Sequence, residues 1–481
     1  MLNQLEIIKK ASILIEKKKF IQAKQILIDF QKNAKNLKID IKFYYSLYLV
    51  SEALNETQNA KKNLEKCLKI NKDNHIVLNN LGNIFLREGK IDKAEQLYLN
   101  SHNLKNDYLL AIVNLAILYQ NTGKLENAKK FYKKAIELSP GRISIYFNLS
   151  RIDKNFINEE KIIHLSNLIE NEKDLSELSY GYFLLAENER KKKNFDLEID
   201  YLQKANQFSF NSMKEKNLKT LDYWKNVITK KYNKFSFNEF DSKNELEKFK
   251  PIFIIGLPRS GSTITEVLLS SGRKKIKSLG ESSIFNGILA KGFSNKEDLS
   301  IDLNSVKNKI IEISQNKNFT PQSFFIDKSL ENFFYIEVIL KIFPNAIFIN
   351  TTRNIEDNII AIFKQSLSKL SWTHSLEDIL NYIDTYLKVI DNFEKKYPNK
   401  ILSISLEELS NNIKDVTKKL YNFCDLEWTE DVLEFHKRQD LLISTASNIQ
   451  IRGQINKYDN KKYEPYKIVL KNFFSKYDWL N

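Results

Sequence analysis

At 481 residues the chain exceeds one ordinary domain, and with 42% hydrophobic residues each of two or more units has a core to bury. The formal net charge of +15 comes from 75 basic residues, nine of them arginine, interspersed along the whole chain with 60 carboxylates. This spread argues against a specific nucleic-acid-binding stripe and leaves only a general preference for anions. Two cysteines, Cys67 and Cys424, argue against a disulfide framework or a zinc cluster and make a reducing compartment the default. No run reaches the ~18 apolar residues of a membrane span. The first residues, "MLNQLEIIKKASILIEKKKF", scatter lysines through the apolar positions, so no secretory signal is expected and the chain reads as cytoplasmic.

The first half repeats itself. "LGNIFLREGKIDKAEQLYLNSHNL" (81–104) aligns with "LAILYQNTGKLENAKKFYKKAIEL" (115–138) at an offset of 34 residues, the tetratricopeptide period. Ala60, Ala94 and Ala128 fall on it, as do Leu64, Tyr98 and Tyr132, then Cys67, Ser101 and Ala135; Gly82 and Ala116 share a further small-residue slot. Small residues let paired helices approach closely. "GK" recurs at 89 and 123 in the turn between helices, and Pro140 ends a helix. Degenerate copies are expected at 5–37, where Ala23 and Leu27 hold the pattern, and at 178–211. The alanines and aromatics read as solenoid core, since each repeat buries its face only against its neighbours. The expectation is an all-α tetratricopeptide solenoid over 1–211 and a helical linker over 212–250.

From Pro251 the pattern changes. Short apolar runs, "IFIIG" (252–256), "SFFID" (323–327), "AIFIN" (346–350) and "ILSIS" (401–405), alternate with longer amphipathic stretches, which predicts a three-layer α/β domain with a parallel sheet over 251–481. Ligands in such folds sit beyond the carboxyl ends of strands. The informative polar residues stand there: Arg259, Ser260, Ser262 and Thr263 after the first run, Asp327 and Lys328 after the second, Arg353 after the third.

"PIFIIGLPRSGSTITEVLLSSG" (251–272) has the strand, tight turn and helix start of a phosphate-binding loop. Gly256, Gly261 and Thr263 fit the spacing G-x-x-x-x-G-K-[ST], yet Ser262 stands where a nucleotide loop has lysine. Backbone N–H groups and the hydroxyls of Ser262 and Thr263 suit a phosphate of any kind. Triphosphate chemistry also needs the loop lysine and a magnesium carboxylate, for which Asp327, beside Lys328, is the one candidate. The anion expected here needs no metal. In a chain so rich in lysine, arginine stands at 259, 353 and 452, and its planar fork binds phosphate bidentately.

These blocks carry a resemblance. "PIFIIGLPRSGST", "LGESS" (279–283), "IDKSLENF" (326–333), "PNAIFINTTRNIEDNIIAIF" (344–363) and "STASNIQIRGQINKYDNKKYEPY" (444–466) are similar, in that order, to sulfotransferases that use 3′-phosphoadenosine 5′-phosphosulfate. The resemblance is in particular to the bacterial type with N-terminal tetratricopeptide repeats, whose sulfotransferase domain is related to the tyrosylprotein sulfotransferases. The resemblance implies that the loop Leu257, Pro258, Arg259, Ser260, Gly261, Ser262 and Thr263 holds the 5′-phosphosulfate of this co-substrate. It implies Glu281 as the base, Lys328 and Ser447 as stabilisers of the charge growing in transfer, Arg353 on the 3′-phosphate, Lys462 near the phosphates and Arg452 in support. No metal is implied. The acceptor could be a protein tyrosine, a carbohydrate or a metabolite, and the repeats imply a protein or peptide partner.

One position departs from the family pattern: eight residues after the phosphate-binding arginine the family usually has a serine, and here stands Ala361. The competing readings are a tetratricopeptide scaffold whose second half has lost catalysis, against which Glu281, Lys328 and Ser447 argue, and a P-loop kinase, against which Ser262 argues. His374 and His436 lack partners at ligand spacing and read as structural.

Overall fold

The computed structural model describes residues 3–33, 39–237, 248–273, 276–293, 300–316, 324–438, 443, 451, 453, 455 and 457–480. The chain forms two compact units, Met1–Ile152 and Asp153–Asn481.

The first unit is all-helical, with helices Gln4–Glu16, Phe20–Asn33, Ile41–Ala53, Thr57–Ile70, His75–Arg87, Ile91–Leu104, Leu109–Asn121, Leu125–Leu138 and Ile143–Ile152. The residues that recur every 34 positions are its core: Ala60, Ala94, Ala128, Leu64, Tyr98, Tyr132, Cys67, Ser101 and Ala135 are all buried. The turn between paired helices has its own 34-residue mark, because Asn55, Gly89 and Gly123 have φ of 59°, 73° and 80°. A left-handed residue reverses the chain after a helix, and glycine or asparagine adopts it with least strain.

Helices Glu159–Asn171, Leu175–Lys191, Phe195–Ser212 and Lys214–Asp222 belong to the second unit. The segment 178–211 is the helical hairpin that a degenerate repeat would form; Lys193 turns it at φ 60°, and the Ser179 hydroxyl donates to the Ala205 carbonyl at 2.9 Å. Its second helix packs into the sheet-bearing part of the unit, where Asn206 Nδ2 donates to the Phe363 carbonyl at 2.9 Å. The segment expected to link two domains continues helical to Lys231, passing through a π-helical stretch at Tyr223–Ile228. Strand β1 (Ser236–Phe237) then pairs in parallel with β4 (Ser300–Ile301). Two-residue strands have no periodicity to read in a sequence.

The main sheet comprises β2 (Lys250–Gly256), β3 (Lys277–Ser278), β5 (Phe324–Asp327), β6 (Ile347–Thr352) and β7 (Ile401–Ser405), in the order β3-β5-β2-β6-β7 and parallel throughout. The apolar runs form these strands because both faces are covered. On one face Ile252, Ile254, Ile326, Ile349 and Ile404 pack on Val267 and Leu268 of the helix Ser262–Ser270 and on Leu420 and Tyr421 of the helix Ile413–Phe423. On the other, Phe253 stacks on Phe348 at 5.5 Å and meets Phe285 and Phe343 edge-on or tilted. Each such side chain stabilises the fold by about 1.5–3 kcal/mol. β2 lies between β5 and β6; the chain after it crosses to β3 on one side and, after β5, to β6 on the other, a reversal that opens a crevice beyond the carboxyl end of β2.

Cys67 and Cys424 are buried and unpaired, and burial pushes their thiols up to about 11 and about 12. Among the described residues no helix is long and apolar enough to cross a membrane.

Candidate functional site

Three strand ends meet at the crevice. β2 delivers the loop 257–261 and the helix that starts at Ser262; β5 delivers Asp327 and Lys328; β6 delivers Arg353. The loop's backbone is bent where it has to be. Gly256 sits at φ 130° against β6, where a methyl would lie 2.5 Å from the Thr351 carbonyl oxygen, and Gly261 caps the helix at φ 99°. Arg259 adopts φ 68°, strain of the kind that concentrates at functional loops. The Ser260 hydroxyl turns inward, donating to the Leu257 carbonyl at 2.6 Å and pairing with Thr351 Oγ1 at 2.8 Å. Asn358 Nδ2 donates to the Pro258 carbonyl at 2.8 Å. Ser262 and Thr263 stand in the helix's first turn, both buried, where its N-terminal dipole favours an anion.

Beside the loop the cations gather. Arg353 Nη1 donates to the Arg259 carbonyl at 3.3 Å and Nε to the Tyr458 hydroxyl at 3.0 Å, while the guanidinium lies over the rings of Tyr458 and Tyr463 at 5.3 and 4.9 Å. Tyr458 in turn donates to Asp357. Lys462 lies over the Tyr463 ring at 5.3 Å. Tyr463 reports the field of this cluster: burial acts to raise its phenol, but Arg353, Lys462 and Arg259 outweigh it and hold the group below its ordinary value. An anion would meet three positive charges here. Arg353 does not cap the following helix; the side chain of Asn354 does, accepting from the Asp357 N–H at 3.1 Å. Ala361 is buried in that helix. A cavity of about 260 Å³ opens nearby, lined in part by Leu257, Thr351, Arg353, Asn358, Tyr386 and Asp391, and its lining includes neither Glu281 nor Lys328.

On the β5 side, Lys328 is buried to 1% exposure and spans two carboxylates, Glu281 Oε1 at 3.0 Å and Glu266 Oε2 at 3.5 Å. Burial alone would lower its ammonium, but Glu266 and Glu281 hold it above its ordinary value, so it is charged. The Glu281 side chain keeps 59% exposure and is open to an incoming molecule. Asp327 and Lys328 are not a surface pair. Asp327 is buried and accepts from Ser282 Oγ, from the Ser329 N–H at 2.9 Å and from Asn332 Nδ2 at 3.1 Å. Its carboxyl is raised by burial, which these donors counter only in part. Two further rungs join the same segments: the Ser283 N–H donates to Ser329 Oγ at 2.8 Å, and Asn286 Nδ2 to Glu331 Oε2 at 2.6 Å.

Leu257 to Thr263, Arg353 and Lys462 thus converge from residues far apart in sequence, and Glu281 meets Lys328 on the neighbouring strand end. Ser447 and Arg452 lie outside the described residues. The sequence reading missed Tyr458 and Tyr463, for which the tyrosines flanking lysines in "KYDNKKYEPY" were the available signal, and Asn358, for which there was none. His374 is buried against Phe210, and burial pushes it down to about 4, so it stays neutral.

Residues 251–430 match the model of a sulfotransferase family, and residues 41–74 and 110–142 match a tetratricopeptide repeat. An uncharacterized protein of Aquifex aeolicus (strain VF5) is 27% identical over 241 residues, covering 46% of this chain and 31% of that protein. The chain therefore matches about a third of the length of that curated relative. Among solved structures, pilF of Pseudomonas aeruginosa aligns at 17% identity and a TM-score of 0.34, covering 41% of this chain and 88% of its own. YrrB, described as a TPR protein with an unusual peptide-binding site, aligns at 18% identity and 0.28, covering 35% and 86%.

Proposed function

We propose that this chain, which joins tetratricopeptide repeats to a sulfotransferase-family domain, moves a sulfuryl group from 3′-phosphoadenosine 5′-phosphosulfate to an acceptor hydroxyl. The residues fit a donor carrying phosphate at both ends: the loop and Arg259 take the phosphosulfate, and Arg353 with Lys462 takes the 3′-phosphate. The bond from sulfur to the phosphate's bridging oxygen breaks as the acceptor oxygen bonds to sulfur, and adenosine 3′,5′-bisphosphate leaves. Glu281 receives the acceptor's proton, a role its exposure permits. Lys328, fixed and charged, stabilises negative charge on the transferring oxygens, electrostatic help that operates best in a buried site. Ser447 and Arg452 keep the roles that the family resemblance implies. The repeats are assigned a protein or peptide that is the acceptor or carries it, and the buried, unpaired thiols support a cytoplasmic setting.

The observation that carries this reading is the chemistry at the end of β5. A triphosphate site needs a free carboxylate for magnesium there, whereas Asp327 is enclosed by three donors and the exposed carboxylate beside it, Glu281, is paired with the buried Lys328. Calorimetry tests it: adenosine 3′,5′-bisphosphate should bind at least ~10-fold tighter than ATP, a difference of about 1.4 kcal/mol, with or without magnesium. Equal affinities or a magnesium requirement would sink the proposal. Glu281→Gln should bind the bisphosphate as wild type does. Its transfer of labelled sulfate into the lysate fraction that wild type labels should fall ~10²–10⁴-fold.

A further inference from the structure

Glu281 and Lys328 reach the crevice from different segments, and a sulfuryl transfer needs them fixed relative to each other. Glu281 follows Gly280 (φ 61°) in a stretch with little regular structure, and Lys328 is the first residue beyond β5. Main-chain bonds join these segments as far as Lys328, whose N–H donates to the Gly280 carbonyl at 2.9 Å. Beyond that point side chains take over, and Asp327 is their hub. One of its oxygens accepts from Ser282, the residue after Glu281; the other accepts from the N–H of Ser329, the residue after Lys328, and from Asn332.

We propose that Asp327 is a positioning residue which, through Ser282 and Ser329, fixes Glu281 against Lys328; the catalytic consequence rests on the sulfotransferase reading above. The carboxylate is not a counter-ion for Lys328, whose ammonium turns to Glu266 and Glu281. It works by accepting hydrogen bonds, and that distinguishes it from a metal ligand or a charged participant in the reaction. An asparagine at 327 keeps the oxygen facing Ser329 and Asn332, and its amide can donate to the Ser282 hydroxyl, which rotates to accept. An alanine leaves Ser282, the Ser329 N–H and Asn332 without their partner in a buried place.

The test compares Asp327→Ala, Asp327→Asn and Ser282→Ala in the full chain by two readouts. Hydrogen exchange, which needs no acceptor, should show the peptide 279–286 exchanging at least ~10-fold faster in Asp327→Ala and Ser282→Ala, with Asp327→Asn near wild type. Bisphosphate affinity should stay within about threefold in all three, while sulfate transfer into the wild-type-labelled fraction falls roughly 10- to 100-fold in the first two and recovers in Asp327→Asn. Ser282→Ala removes a single hydroxyl and serves where Asp327→Ala does not fold. Unchanged exchange in Ser282→Ala, or an Asp327→Asn as impaired as Asp327→Ala, would overturn the proposal, the second outcome making the negative charge itself essential. If wild type transfers no sulfate, the sulfotransferase reading fails, and the exchange pattern still decides whether Asp327 holds the two segments.

Discussion

Arg353 is held on several sides by groups of this chain: the Tyr458 hydroxyl, the Arg259 carbonyl and two aromatic rings. A guanidinium fixed in this way gives up less side-chain freedom on binding an anion than a solvated lysine would, an advantage of up to about 2 kcal/mol. Glu331 is the opposite case, a carboxyl placed where charge is unwelcome. Burial, and then the neighbouring Glu281, push it up to about 7, while Asn286, itself bonded to the Tyr335 hydroxyl at 3.0 Å, donates to it. An unfolded glutamate titrates near about 4.3, so between about 4.3 and 7 the folded chain binds the extra proton. The stability this brings is complete below about pH 4 and is lost as the pH rises through 7. Glu331→Gln keeps an acceptor for Asn286 and removes the titration. Urea unfolding should therefore find the variant near wild type at pH 4 and more stable by roughly 2–4 kcal/mol at pH 8. A constant difference across that range would mean that Glu331 is charged throughout.

At the scale of elements, the repeat unit shows which glycines matter and why. A methyl at Gly82 would lie 2.6 Å from Cε1 and 2.8 Å from Cδ1 of Tyr98, a buried ring whose hydroxyl is held by Asn83 at 2.7 Å. Gly82→Ala should destabilise the first unit by ~1–3 kcal/mol through overpacking. Gly89 has open space around it and only its φ of 73° to defend, so Gly89→Ala should cost about 1–2 kcal/mol whatever its neighbours. A repulsive Tyr98 contact predicts that Tyr98→Phe leaves the Gly82→Ala effect intact and Tyr98→Leu relieves it. Elements of this kind were legible in the sequence because their signal is local. The 34-residue alanines, the apolar runs and the glycines of the loop each declare a backbone or a packing requirement at their own position. Asn358 and the hub at Asp327 were not legible, since their partners lie 100 and 45 residues away and one asparagine or aspartate reads like any other. Asp327 illustrates the limit well: beside Lys328 in sequence it suggests an ion pair, and only burial turns the two side chains in different directions. The π-helical stretch at Tyr223–Ile228, which brings Tyr223 to the Tyr335 hydroxyl at 2.8 Å, likewise has no sequence mark.

For the molecule as a whole, the placing of the hairpin Leu175–Ser212 in the second unit has a measurable result. Glu198 on that hairpin is buried, pairs with Lys364 at 2.7 Å and accepts from the Tyr466 hydroxyl at 2.7 Å, while Lys364 lies 3.4 Å from the centre of the Tyr466 ring. A fragment cut at 212 would lose the carboxylate that pairs with Lys364 and accepts from Tyr466, together with the helix packed on Phe363. The fragment 153–481 should therefore unfold cooperatively and bind adenosine 3′,5′-bisphosphate as the full chain does, whereas 212–481 should aggregate or melt at a lower temperature and bind it weakly. Matching behaviour of the two fragments would show that the hairpin is dispensable. Tyr466 lies four positions beyond Lys462 and eight beyond Tyr458, so the same hairpin also anchors the segment that surrounds Arg353.

The seam at 152/153 gives an engineer a place to work. Everything described around the crevice, from the loop to the Glu198 anchor, is encoded after it. A foreign repeat array spliced at that junction would leave the sheet-bearing unit whole, whereas a splice at 211/212, where the repeat pattern ends on paper, would discard the hairpin of that unit with the old array.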